Sequence, residues 1–395
     1  MMQKPVATFI LLLSAILLSA CSSFDDEEEL VPAELIDFKA EMQFDRQWSQ
    51  SVGDGQGKLY NRLRPAHDGN MIVVASADGE VEAFTLKDGD SLWDVDVDAE
   101  VSGAISIIGD EVFIGTLTGE VIALNKNNGK QLWKVSVQSE VLAAPAGDGQ
   151  LAFVQTLDDQ LLALNAKTGA RVWSYRNTMP VLTLRGTSTP LYMRGVVAAG
   201  FANGKMVAFN SENGSVLWDA RIAASTGNSE IERIVDIDGD LLMEDNTLYA
   251  VSYQGAITAI DPASGSRKWS REASSYVSMG YGFNNVYVAN QEGSIVAFAN
   301  NGQGVRWEQS VLARRQLTGP ITLGNFVVVG DFEGYLHAFS QLDGHLVARV
   351  KVDSDGLRSR LVVHNDVLYV YSNDGTLAAY RLVKKSKGFF SSLVE

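Results

Sequence analysis

The chain has 395 residues, 46% hydrophobic and 20% charged, with a formal net charge of −16. That balance supports a large buried core and excludes a broad surface for nucleic acid or anionic lipid. Cys21 is the single cysteine, so no intramolecular disulfide forms even in an oxidising compartment.

Residues 1–20 read as a secretory signal peptide. Lys4 supplies the positive start, and "VATFILLLSAILLSA" supplies an apolar core of 15 residues, short of the roughly 20 that span a bilayer. The signal ends in Leu18, Ser19, Ala20 and Cys21, which resembles a bacterial lipobox and implies acylation of Cys21. Several acyl chains anchor stably where one does not. Ser22 follows, with no Asp at that position; by resemblance to sorted lipoproteins this implies the outer membrane, lipid-anchored, on its periplasmic face. Residues 21–42, with the acidic run Asp25–Glu29, read as a solvated tether.

From residue 43 the chain repeats. Its seven tryptophans are Trp48, Trp93, Trp133, Trp173, Trp218, Trp269 and Trp307, at spacings of 45, 40, 40, 45, 51 and 38. A period of roughly 40 to 45 residues is that of a β-propeller with one four-stranded blade per repeat. The copies align as "LTGEVIALNKNNGKQLW", "LDDQLLALNAKTGARVW" and so on. A first Gly suits a tight hairpin, with Asp159 replacing it in the third copy. An Ala follows four residues later in every copy, and a second Gly makes the next turn. The Trp is predicted to lie on the outermost strand and dock between blades. The seventh copy has Ala348 in place of Trp, and the eighth stops before any outer strand. The stretch around Trp48 is an outer strand lacking a blade. Ring closure resolves both: the N-terminal strand completes the last blade, leaving no long unpaired edge. The prediction is an all-β, eight-bladed propeller over residues 43–383 with quinoprotein-like Trp-docking repeats. Seven blades would strand residues 43–52 or 365–383. Residues 384–395 form a basic tail outside the repeat.

The repeat is broken where Trp spacing exceeds 40 residues. A Gly-rich stretch at 53–57 accounts for the first excess. The other two excesses are adjacent, in "MPVLTLRGTSTP" (179–190) and "STGNSEIERIVDIDGD" (225–240). Both join an outer strand to the next inner strand, so both emerge side by side on one face, and clustered insertions on a repeat protein mark its binding face. Leu182 and Leu184 alternate beside Arg185; Glu230, Ile231, Arg233, Asp236 and Asp238 stand opposite. An apolar pair, an Arg and acids suit protein docking. Arg185 paired with Asp236 or Asp238 would instead brace the two loops, and the two roles are compatible.

The signal, lipobox, acidic tether and Trp-docked repeats together resemble the BamB family, lipoprotein propellers of the β-barrel assembly machinery. "MPVLTLRG", "STGNSEIERIVDIDGD" and "VVGDFEGYLHAF" resemble that family's non-repeat segments. The resemblance covers essentially the whole chain. It implies a non-enzymatic scaffold that binds the POTRA domains of BamA and assists outer-membrane protein assembly. Its implied binding residues here are Leu182, Leu184, Arg185, Asp236 and Asp238, with no cofactor and no metal.

Two rival readings remain open at this stage. Quinone-dependent dehydrogenases share the repeat, but they resemble longer chains with a calcium site on the ring axis and often a vicinal Cys pair. "DIDGD" at Asp236–Asp240 places its Gly too early for a calcium loop, and Thr247 stands where the twelfth-position Glu belongs. His67, His337, His345 and His364 fall in no metal spacing. A propeller holding a peptide or glycan in its channel is the second rival. The edge-like "VLTLRG" would also suit an unfolded barrel strand as a further partner, by β-augmentation.

Overall fold

The structure is a computed structural model that describes residues 31–224 and 228–385. Among these residues the regular structure is strand, arranged in eight four-stranded antiparallel sheets. The first blade comprises Ala66–His67, Met71–Ala75, Glu80–Thr85 and Ser91–Asp96, counted outward from the ring axis. The unbroken apolar run "MIVVA" is buried at every position, as a strand packed on both faces must be. The outer "SLWDVD" buries only Trp93 fully and alternates elsewhere, as an edge strand should.

The Trp frame works as predicted. Trp93 lies directly opposite Ala83 in its own blade. Its indole N–H donates to Lys126 O of the next blade at 2.8 Å. Trp133, Trp173, Trp218, Trp269 and Trp307 do the same to Ala166, Ser211, Pro262, Asn300 and Gln341, at 2.7–3.0 Å. Each ring rests on the turn glycine of the next blade. A Cβ on Gly129, at φ +69°, would fall 2.6 Å from the Trp93 ring, so this position needs glycine for backbone and space alike. Asp159 takes φ +62°, the conformation its repeat position demands.

Closure is by the N-terminal strand. Met42–Ser51 pairs antiparallel with Thr376–Lys384, from Met42 opposite Lys384 to Ser51 opposite Thr376, and forms the outer strand of blade eight. Trp48 lies opposite Ala379 and packs on Gly89 of blade one. Its indole N–H is buried without a partner. The carbonyl at the equivalent docking position, Leu86 O, accepts the Tyr369 hydroxyl at 3.0 Å.

Blade seven shows why its Trp is missing. A docking Trp needs a hairpin joining the third and fourth strands of the next blade. In blade eight those strands are the two ends of the ring, and no such hairpin exists. Residues 33–41, read from the sequence as tether, lie against blade seven instead. Ala33 N–H donates to Ala313 O at 2.9 Å and Glu41 N–H to Val347 O at 3.0 Å. Leu35 and Phe38 pack on the core that contains Leu312 and Leu346. The "VVGDFEGYLHAF" segment helps fasten them. Buried Asp331 accepts Arg315 Nε at 2.8 Å and His337 Nε2 at 2.9 Å. Arg349 Nε donates to His337 Nδ1 at 3.2 Å, so the imidazole carries its proton on Nε2; burial holds its pKa below the ordinary value. The same two arginines donate to Ala33 O at 2.9 Å and Ile36 O at 3.0 Å. Cys21 and the tail beyond residue 385 lie outside the described residues.

Candidate docking site on the loop face

The connections from each outer strand to the next inner strand share one face, and the two long ones lie side by side as expected. Leu184 N–H donates to Asp236 Oδ2 at 2.6 Å, joining the 177–190 and 222–241 connections. Asp238 lies directly beneath Gly186, where a Cβ would fall 2.7 Å from its Cγ. Only a residue without a side chain lets the loops close to this distance.

The acids are buried. Asp236 is 1% exposed and Asp238 7%. Burial, then the nearby Asp238 and Asp159, push the Asp236 pKa up to about 8, against the pull of the Leu184 N–H. Burial raises Asp238 to about 6, with Asp159 adding to the shift and Arg62 opposing it. Asp240, two residues on, behaves oppositely. Burial alone would raise it, but the Arg64 and Arg360 guanidiniums hold it well below the usual carboxylate range. Arg360 Nη1 donates to its Oδ2 at 2.5 Å, and Arg64 bonds the same oxygen. The alternating aspartates of "DIDGD" therefore serve backbone and arginines.

Arg185 pairs with neither Asp236 nor Asp238. Its partner is the Glu140 carboxylate, on the connection between blades two and three. Its other nitrogen, Nη1, donates to Tyr60 O at 3.0 Å and Asn61 Oδ1 at 3.4 Å. The bracing role expected of Arg185 is thus directed at two other loops. Nothing in the repeat marks Glu140, whose connection has ordinary length.

Apolar residues face solvent on both loops, beside the exposed Glu230, Glu232 and Arg233 of the second. Val181 is 90% exposed, Ile231 65%, and Leu182 and Met179 41% each; Leu184 is half-buried. Val181 escaped the sequence reading, which weighted the Leu182–Leu184 alternation. Arg233 binds Glu230 at 3.1 Å within the second loop.

A third loop joins this face. Residues 52–65 reach from the blade-eight junction across the ring axis. Arg62 donates to Tyr276 O at 2.7 Å, between blades five and six, and its guanidinium lies 5.3 Å from the Tyr60 ring and 5.2 Å from Tyr276. Arg358 donates back to Gln56 O and Gly57 O at 3.0 and 2.9 Å. The glycines at 53, 55 and 57 flagged a turn here, but the informative residues are the arginines and Tyr60 that follow.

A family model described as outer membrane protein assembly factor BamB matches residues 77–309 and 291–385. The outer membrane protein assembly factor BamB of Pseudomonas aeruginosa is 55% identical over 372 residues, 94% of this chain and 98% of that one. The chain belongs to the BamB family. The crystal structure of BamB from Moraxella catarrhalis matches with a TM-score of 0.79 at 28% identity, over 86% of this chain and 99% of that one. A quinohemoprotein alcohol dehydrogenase from Comamonas testosteroni, at 12% identity and TM-score 0.68 over 87% of this chain and 77% of that one, shares the fold alone. The family model spans both long connections, 177–190 and 222–241.

Proposed function

We propose that the mature protein is a non-enzymatic scaffold subunit of the outer-membrane β-barrel assembly machinery. It is anchored through acylated Cys21 on the periplasmic face and docks on the POTRA domains of BamA through its long-loop face. Membership of a family named for outer membrane protein assembly supports this reading. The observation that carries the site is the exposed apolar edge at Val181 and Leu182, held by the Leu184–Asp236 bond. Leu182 and Leu184 supply the contact. Full burial of one such side chain contributes about 1.5–3 kcal/mol. Arg185, Asp236 and Asp238 serve the interface from behind, by fixing the loops.

The experiment is an affinity titration of the protein against the POTRA domains of its cognate BamA. Leu182→Ala/Leu184→Ala is expected to weaken binding at least tenfold while circular dichroism stays native. Unchanged affinity in the folded variant would move the site to another loop. No binding by the wild type would remove the scaffold reading itself.

A further inference from the structure

The 52–65 loop carries Leu59 and Tyr60, which are 46% and 44% exposed on the same face as the two long loops. Beside Leu184, Tyr60 borders a cleft of about 320 Å³ lined also by Arg62, Arg185, Asp238, Tyr253, Tyr276 and Gln316. Tyr and Arg dominate the centres of protein interfaces, and here both border the cleft. The loop is not loose. Arg62 stands beside both the Tyr60 and Tyr276 rings, Arg358 lies 5.7 Å from the Tyr60 ring, and the Arg185 fork holds the Tyr60 carbonyl. Arg185 is itself neutralised by Glu140. Its geometry directs it at the loop, with little left to offer a partner.

We infer that Leu59 and Tyr60 form a third contact element of the docking face, and that Arg185 is its positioning residue. This rests on the docking reading above and names the same partner. The cleft between Tyr60, Tyr276 and Leu184 takes an apolar side chain from the POTRA surface, continuous with the apolar edge at Val181 and Leu182. A residue with a broad apolar body suits it because Tyr60, Tyr253, Tyr276 and Leu184 form half of the lining, while of the charged groups Arg185 is paired with Glu140 and Arg62 is bonded to Tyr276 O.

The test is the same titration with Tyr60→Ala, Tyr60→Phe, Arg185→Ala and the Tyr60→Ala/Arg185→Ala pair. Tyr60→Ala is expected to weaken binding about tenfold and Tyr60→Phe to restore it to within about twofold, since the ring does the covering. Arg185→Ala is expected to weaken binding comparably. The double variant is expected to bind no worse than the poorer single variant, because both changes remove one element. Native affinity in folded Tyr60→Ala overturns the contact. Additive losses overturn the positioning role and return Arg185 to direct contact. Hydrogen exchange on the unbound protein gives a readout independent of the partner. Amides 58–63 are expected to exchange faster in Arg185→Ala while those of the blade strands do not change; equal exchange there overturns the brace even if wild type fails to bind POTRA domains.

Discussion

At the residue scale the site is defined by what its charged groups do to one another. Asp236 ionises near 3.9 in an unfolded chain but only near pH 8 in the native ring. Between those values the native state keeps a proton that the unfolded chain has released. Stability therefore falls as pH rises through that window and levels off above it, at a slope of at most about 1.4 kcal/mol per pH unit for one group. Asp238 adds a shorter window ending near pH 6. Asp236→Asn keeps an oxygen for the Leu184 N–H and removes the titration. Wild type is expected to lose thermal stability from pH 6 to pH 9, and Asp236→Asn to lose measurably less. Parallel pH profiles in thermal melts would show that Asp236 ionises normally. None of this was legible in the sequence. The alternation of "DIDGD" places three acids on one side but does not say whether that side faces water or a neighbouring loop. Arg185 was placed beside acids by its position in the chain, yet its partner comes from a connection 45 residues away.

At the element scale the sequence was far more informative. A Trp, an Ala four residues after one turn glycine and a second turn glycine recur because each blade solves one packing problem. The Ala lies opposite its own Trp, and the Trp lies on the following blade's turn. These are short-range relations, so they leave a periodic trace. The exceptions are legible only through three dimensions: blade seven has no hairpin to dock on, and the Trp48 indole N–H is buried without a partner while Leu86 O, at the docking position, accepts from Tyr369. Trp133→Phe removes a donor from the buried Ala166 carbonyl and is expected to cost about 1–3 kcal/mol. Trp48→Phe deletes an indole N–H that has no partner, so it is expected to cost at least about 1 kcal/mol less. Urea denaturation of both variants checks the difference. Equal losses would mean that ring packing alone, and not the hydrogen bond, holds the blades together.

At the scale of the whole molecule, the N-terminus closes the ring twice over. Residues 42–51 complete blade eight, and residues 33–41 cover the Trp-less edge of blade seven. The sequence reading assigned only the first of these roles, because the second depends on a polar network between Arg315, Asp331, His337 and Arg349 that gathers residues from two strands, a hairpin turn and a connection. Three shortened chains separate the two. A chain beginning at Ala33 retains both elements and is expected to melt like the mature protein. One beginning at Gln43 loses the cover of Leu35 and Phe38 and strips the Ala33 and Ile36 carbonyls from the two arginines. It is expected to remain folded but less stable by about 2–4 kcal/mol. One beginning at Gly53 reduces blade eight to three strands and opens the long edge of Thr376–Lys384 to solvent. It is expected to lose cooperative unfolding and to aggregate, as exposed edges do. Circular dichroism melts and size-exclusion profiles distinguish the three. If the chain beginning at Gly53 melted with the same midpoint and cooperativity as the chain beginning at Ala33, strand exchange at the seam would not be what holds this propeller closed.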